Sequence, residues 1–362
     1  MDPGGTTKTD PSVDDWSIDD NVFRLRQWAS ELTRKLPEPT DEIRIIGSNE
    51  SCWLRLEDSK SCVSGRHAAL VHEAGRWIIR DLGSKNGMRV DGQRREEVVL
   101  EPGIEIKIGG VTLLAESPRF AALRGFLRRI LGWETAQATA VDVALRAIRM
   151  AAARRAALVL CGEDDLIPLA RSLHRRYLGD DRPFVVCDPR RKSSEENVRN
   201  AENHVAGMPA LLAATRGSLC VWNNKLPSDF DEVKAALKDP DVRVHLTVCA
   251  RNAAEAEAFG AVAIAIPSLA DRKDELARIV AEYAADASLE LVLPVAAFSR
   301  VDHAWVLKHE TKTLPRIEKA TQRLIALRAE DGNVSRAAVR LGMARMSLYK
   351  WIGRRTLPVL QP

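Results

Sequence analysis

The chain has 362 residues, 45% of them hydrophobic and 29% charged, with a formal net charge of +4. That length predicts two or three domains, and the apolar share is enough for packed cores. No run approaches the roughly 18 apolar residues of a membrane span, and the polar, acidic start lacks a signal-peptide pattern, so the expected setting is cytoplasmic, with no membrane contact. The six cysteines (Cys52, Cys62, Cys161, Cys187, Cys220, Cys249) are scattered, with no CxxC pair and no nearby His cluster. They read as reduced, small apolar residues, and neither a disulfide framework nor a metal site is expected.

Residues 1–20 are rich in Asp, Gly, Thr and Pro, which predicts a disordered tail. Over 21–40, Val22, Leu25, Trp28, Leu32 and Leu36 form one apolar stripe at helical spacing that stops before Pro37 and Pro39. An amphipathic helix and linker are expected there.

From 41 to 117 the pattern changes to short β-prone runs: Ile43–Ile46, Trp53–Leu56, Ala68–Val71, Trp77–Arg80, Met88–Val90, Val98–Leu100, Ile104–Ile108 and Val111–Leu114. Short strands at this spacing predict a β-sandwich, and Asp91-Gly92 is a two-residue hairpin signal. Between the strands lie Ile46-Gly47, Ser64-Gly65-Arg66-His67 and Ser84-Lys85-Asn86-Gly87. In that order these stretches resemble the forkhead-associated (FHA) domain, whose loop end binds phosphothreonine. The resemblance puts Ser64 and Lys85 on the phosphate and Asn86 on the peptide backbone, with His67 and Gly87 orienting the loops. It departs in one respect: the family's arginine after Ile-Gly is Ser48 here. A bidentate guanidinium is among the stronger contacts to a phosphate, so its loss should lower phosphopeptide affinity considerably. Lys85 and Arg66 are the cations that would substitute. Recognition of a threonine-phosphorylated protein and a phosphate-independent protein contact both remain open.

Residues 118–290 alternate helical stretches with buried strands, which predicts an α/β domain. The expected strands are Ala157–Cys161, Pro183–Cys187, Ser218–Trp222, Arg243–Cys249 and Ala261–Ile266. After the first strand, a phosphate-binding loop would need glycines and a lysine. The stretch there is instead Gly162-Glu163-Asp164-Asp165-Leu166. The flanks Leu160-Cys161-Gly162-Glu163, Ala170-Arg171-Ser172-Leu173-His174, Arg182-Pro183-Phe184-Val185 and Gly217-Ser218-Leu219-Cys220-Val221 resemble the AAA+ ATPase domain of sigma-54-dependent activators. So does Leu269-Ala270-Asp271-Arg272-Lys273-Asp274-Glu275-Leu276. That family's metal-binding Asp-Glu pair is Trp222-Asn223 here, and its sigma-54-gripping loop is not found between Glu195 and Ala214. A degenerate, non-hydrolysing scaffold follows, with no cofactor; Arg251 and Arg272 read as solvated surface charges. Residues 291–314 are read as a linker or lid remnant.

Residues 315–362 carry Arg316, Lys319, Arg323, Arg328, Arg336, Arg340, Arg345, Lys350, Arg354 and Arg355 against Glu318, Glu330 and Asp331, a net +7 on a near-neutral body. Such a module is the footprint of phosphate-backbone binding. Asn333 is placed to cap a short helix, Ala337, Ala338 and Leu341 recur at helical spacing, and Gly342 suits a tight turn before a second helix in which Leu348 and Trp351 or Ile352 face inward. The stretch resembles the Fis-type helix-turn-helix that closes most sigma-54-dependent activators. The resemblance puts Asn333 and Ser335 at phosphates and Arg345, Ser347, Tyr349 and Lys350 in the groove, with Arg354 and Arg355 adding positive charge. It implies a dimer on a two-fold operator in double-stranded DNA. Ile317, Ala320, Leu324 and Leu327 form an apolar ridge that either joins two copies or packs within one.

The expected architecture is therefore multidomain: an FHA-like β-sandwich, an α/β AAA+-like domain without its phosphate loop, and an all-α helix-turn-helix. The function expected is a sequence-specific DNA-binding transcriptional regulator, not an enzyme, that contacts the transcription machinery as a homodimer or larger assembly. Two alternatives stand beside it: an ATP-dependent sigma-54 activator with a divergent loop, and an interaction adaptor that does not touch DNA.

Overall fold

The computed structural model describes residues 21–154, 156–163, 165–195, 201–252, 254–255, 259, 263–294 and 298–358. The expected tail 1–20, Asp164 and the first two residues of the expected strand 261–266 lie outside them. Two compact units divide the chain. One takes the chain through Arg128 together with Glu134–Ala153, and the other takes Arg129–Trp133 and the chain from Arg154 on. Among the described residues, no helix is long and apolar enough to cross a membrane.

The first unit is a β-sandwich. One sheet holds β1 (Arg24–Gln27), β2 (Thr33–Lys35), β7 (Met88–Val90), β8 (Gln93–Arg95), β10 (Glu105–Ile108) and β11 (Val111–Glu116), in the order β2-β1-β11-β10-β7-β8. The other holds β3 (Arg44–Gly47), β4 (Leu54–Arg55), β5 (Ala68–Glu73), β6 (Arg76–Asp81) and β9 (Glu97–Val99), in the order β4-β3-β5-β6-β9. Alternate residues of both sheets, among them Ile46, Leu70, Ile79, Met88, Ile106, Ile108 and Leu113, meet in the core. The Asp91-Gly92 hairpin is present, both residues having positive φ (50° and 80°) and Val90 pairing with Gln93.

The helix expected over 21–40 is not formed. Its residues make the hairpin β1–β2, with Ala29 at φ 52° in the turn. The apparent stripe misled because Leu32 is exposed, while Arg26, on the supposed polar side, is wholly buried. Helix α1 (Pro118–Leu131) follows the sandwich, and α2 (Ala138–Arg154) places Asp142 against Arg26. The Arg26 guanidinium donates to both Asp142 oxygens (3.0 and 2.5 Å), to Glu116 (2.6 Å) and to the carbonyls of Gln27 and Ser30. Asp142 also accepts from the Ala29 amide at 2.7 Å. Every charge in this cluster is met, which is what burying it requires.

The second unit is built on a parallel sheet of β12 (Leu158–Cys161), β13 (Phe184–Cys187), β14 (Glu202–His204), β15 (Ser218–Trp222), β16 (His245–Ala250) and β17 (Ala263–Ala265). Its order is β14-β13-β15-β16-β12-β17, so the first strand lies inside, between the last two. The strands are near-continuous apolar runs because helices cover a parallel sheet on both faces. Helices α3 (Leu166–Leu178), α4 (Gly207–Ala213) and α5 (Phe230–Ala236) connect them. The edge strand β14 escapes a hydrophobic pattern because its sequence is Glu-Asn-His.

The described residues of this unit also form α6 (Leu276–Glu290), α7 (Arg300–His309), α8 (Leu314–Ala329), α9 (Val334–Arg340) and α10 (Arg345–Gly353). The segment 291–314, expected to be a linker, contains α7. Ser299 and Asp302 form a reciprocal cap at its start, and Trp305 and Val306 are buried. The ridge Ile317, Ala320, Leu324 and Leu327 is buried within the chain, where α8 packs on α6 and α7. Of the two readings of that ridge, packing within one copy is the one realised.

Candidate functional site

Three loops meet at one end of the sandwich. The Ser48 amide donates to the Ser64 carbonyl (3.1 Å), the Lys85 amide to the Ser64 hydroxyl (3.3 Å), and the Asn86 side-chain amide to the Cys62 carbonyl (2.8 Å). Gly47 permits the closeness, since a Cβ there would stand 2.2 Å from the Gly65 oxygen. At the centre is buried His67. Its Nδ1 accepts from the Ser64 amide (3.1 Å), which leaves Nε2 as the protonated nitrogen, facing the Gly87 carbonyl (3.1 Å) and the Ser84 hydroxyl (2.8 Å). Ser84 in turn accepts from the Gly87 amide at 3.0 Å. The orienting role expected of His67 is thus realised, and Ser84 joins it as a residue the sequence reading did not single out. Its signal was the first position of the Ser-x-Asn-Gly stretch.

Ser64, Arg66, Lys85 and Asn86 are brought together at this end, with Arg66, Lys85 and Asn86 exposed. Among the described residues no acid pairs with Arg66 or Lys85. Ser48 does not leave a hole: its hydroxyl donates to the Val63 carbonyl (3.2 Å) and so ties two loops together.

The C-terminal helices are punctuated as the sequence predicts. The Asn333 side chain caps α9, accepting from the amides of Ser335 and Arg336 at 3.1 Å each. Gly342, at φ 58°, closes α9 with two bonds, Gly342 amide to Val339 carbonyl (2.9 Å) and Met343 amide to Ala338 carbonyl (2.8 Å). On α10, Leu348 and Trp351 point inward. Arg345, Ser347, Tyr349 and Lys350 are exposed, as are Ser335 and Arg354.

The charge of this module is more localised than a count over 315–362 implies. Arg328 is held by buried Asp302 (2.6 Å), Arg316 and Arg355 by buried Glu310, and Arg336 and Arg340 by Glu330. Asp302 and Glu310 precede residue 315, so the count missed two of the module's own counterions. Arg355 is a correction. Expected on the DNA side, it turns inward to Glu310, and its guanidinium stacks 4.8 Å from the Trp351 ring centre. Among the described residues no acid pairs with Arg345, Lys350 or Arg354. The positive face therefore lies on α10.

The carboxyl ends of the central strands hold a different set of groups. Only residues 162–165 separate β12 from α3. Beyond β15, Asn223 approaches Glu255 (3.4 Å), and the Lys225 ammonium pairs with buried Asp188 (3.2 Å). Among the described residues no cluster of three His, Cys, Asp or Glu could hold a metal ion. Arg272, read from sequence as a solvated charge, is buried. It donates to the Ile130 and Arg129 carbonyls (2.9 and 2.8 Å), closing the C-terminal end of α1, and to Glu275 (2.8 Å). Arg251 is exposed.

Four cysteines, Cys161, Cys187, Cys220 and Cys249, are buried, and Cys52 and Cys62 are half-buried. Burial pushes the Cys187 thiol up to about 11, aided by Asp229 and Asp188, and raises Cys161 as well. All six cysteines are free. The His174 ring lies 2.8 Å from the Ser218 hydroxyl, but both side chains are buried and the other ring nitrogen faces the Arg182 carbonyl (3.0 Å). That contact fastens α3 to β15.

Residues 44–109 match the family described as the FHA domain, and residues 324–354 match the family described as bacterial regulatory protein, Fis family. Among solved structures, the chain is similar to the FHA domain of CT664 from Chlamydia trachomatis. The identity is 25% over 26% of this chain and 97% of that one, with a TM-score of 0.24. It is similar to the FhaA FHA domain, solved in complex with the intracellular domain of Rv3910, at 28% identity over 25% of this chain and 96% of that one (TM-score 0.23). Mycobacterium tuberculosis EmbR, solved with a low-affinity phosphopeptide, is similar at 26% identity over 29% of this chain and 27% of that one (TM-score 0.24). No curated protein matches the chain. The chain carries an FHA domain in its N-terminal part and a Fis-family helix-turn-helix at its C-terminal end.

Proposed function

We propose that this protein is a sequence-specific DNA-binding transcriptional regulator whose FHA domain receives a protein partner, with a threonine-phosphorylated segment as the ligand. One observation carries the reading. Helix α10 presents Arg345, Ser347, Tyr349 and Lys350 outward, with no acid among the described residues to neutralise them, on a helix pair whose cap and turn are fully formed. Side chains of this kind reach base edges and phosphates when such a helix enters the major groove. Ser335 and the side-chain amide of Asn333 are the phosphate contacts, and Ser64, Arg66, Lys85 and Asn86 the phosphopeptide contacts. The protein acts as a homodimer or larger assembly on a two-fold operator and passes its signal to the transcription machinery in the cytoplasm.

The central domain is a non-hydrolysing scaffold derived from the AAA+ domain of sigma-54 activators. The short, carboxylate-bearing connection after β12 supports this, as do the lysine-bound Asp188 beyond the strands and the structural use of Arg272. Phosphate release measured with and without DNA should show no turnover. Turnover that is abolished by a substitution at Glu163 would overturn that part of the proposal.

DNase footprinting of genomic fragments tests the main reading. Arg345→Ala with Lys350→Ala should abolish protection and flatten the dependence of affinity on salt, by about 0.9 in logarithmic slope for each phosphate that is no longer neutralised. Full operator affinity in that double variant would reject it.

A further inference from the structure

Across the outer face of the first sheet, three cations stand in one lateral row. Arg94 on β8 is directly opposite Arg89 on β7, and Arg89 is directly opposite Lys107 on β10. All three side chains are exposed. Like charges placed opposite one another on neighbouring strands repel, so such a row is unfavourable unless an anion covers it. Two of the three acids that stand two residues along from the row are engaged, and the third, Glu96 beside Arg94, is exposed. Glu105, two residues along from Lys107, is gripped by Arg146, and Asp91 in the hairpin lies 3.7 Å from Arg149. Arg89 donates to the Gly92 carbonyl, which leaves its charge uncancelled.

The row runs into the loop end of the domain. The Arg94 guanidinium lies across Gly87, its Nε only 2.6 Å from where a Cβ on that glycine would stand. Gly87 follows Lys85 and Asn86 directly, and its φ of 68° together with this contact keeps the position open to the arginine. With strands about 4.8 Å apart, the row extends roughly 10 Å from Arg94 to Lys107, the length of about three extended residues.

We propose that Arg94, Arg89 and Lys107 form an accessory site for an acidic stretch flanking the phosphothreonine, so that the ligand is a phosphorylated segment with several Asp or Glu residues beside it. This rests on the reading of the loop end as a phosphopeptide site. It also answers the loss of the arginine at Ser48, since the guanidinium charge is supplied from β8 and β7 instead. Continuity with Asn86 and Gly87 favours a peptide over DNA as the occupant.

The test uses the full-length protein and fluorescence anisotropy with three labelled peptides: a phosphothreonine peptide with three flanking acids, the same peptide with those acids replaced by Ser and Gly, and the acidic peptide without phosphate. The expected result is at least tenfold tighter binding of the acidic phosphopeptide than of the neutral one. That preference should vanish in R89E/R94E, whose thermal midpoint should be unchanged because both residues are exposed. Equal binding of the two phosphopeptides, or a preference that survives R89E/R94E, overturns the accessory site while leaving the phosphothreonine reading intact. Equal binding of acidic peptide with and without phosphate, lost in R89E/R94E, keeps the row and removes the phosphate reading. No binding of any peptide overturns both. Weakened non-specific duplex binding in R89E/R94E, with peptide binding untouched, assigns the row to nucleic acid and overturns the proposal.

Discussion

Removing Asp142 should be the most damaging single change to the first unit. Its two oxygens take three hydrogen bonds, two from Arg26 and one from the Ala29 amide, and both charged side chains are sealed from solvent. Asp142→Ala leaves the Arg26 guanidinium buried with Glu116, a partner it already shares with Arg24. Breaking a buried pair from one side costs about 3–5 kcal/mol. For a unit of this size that corresponds to roughly 10 °C in thermal midpoint. Arg26→Met together with Asp142→Leu should recover part of the loss, because the uncompensated charge is gone; what remains is the orphaned Ala29 amide together with the Glu116 oxygen and the Gln27 and Ser30 carbonyls that Arg26 no longer reaches. Urea unfolding, with hydrogen exchange read in β1, β11 and α2, separates this unit's transition from the rest of the chain. A loss below about 1 kcal/mol for Asp142→Ala, or a double variant as unstable as the single one, would refute the reasoning.

Burial, with Glu290 nearby, pushes the Glu318 carboxyl up to about 7 from its usual 4.5. The folded chain then holds a proton that the unfolded chain releases earlier, so this contribution is fully present below about pH 4.5 and is lost as pH rises through 7. Glu318→Gln should therefore add roughly 2 kcal/mol at pH 8, allowing for partial solvent screening, and little at pH 5, as read by urea titration at the two values. Arg355→Ala and Arg354→Ala should separate cleanly. The first should lower the thermal midpoint by several degrees, because Glu310 is buried, without changing the salt slope of DNA binding; the second should reduce that slope and leave stability unchanged. His67→Ala should cost about 3 kcal/mol by orphaning the Ser64 amide and the Gly87 carbonyl, with amide exchange rising in both loops.

Much of the sandwich was legible because its strands alternate apolar and polar residues between turn signals. Leu70, Ile79 and Ile106 were foreseeable core positions for that reason. The β1–β2 hairpin was not, because Arg26 is buried by a partner 116 residues away, and no local pattern carries that information. The cap at Asn333 and the turn at Gly342 were legible because each solves a local backbone problem with one residue type. Arg355 was misplaced for the opposite reason: its direction depends on Glu310, next to a helix where the sequence suggested a linker. Likewise Arg94 gave no local sign, since its relation to Gly87 arises only when β7 and β8 pair.

The ring of Trp351 meets that of Trp305 edge-on, 6.1 Å between centres, and the Trp305 indole nitrogen donates to the Thr356 carbonyl. A polypeptide cut to start at residue 315 would thus be without one half of an aromatic pair and the carboxylates that hold three arginines. Starting at or before Phe298 keeps both, and such a fragment should retain α10 at full stability.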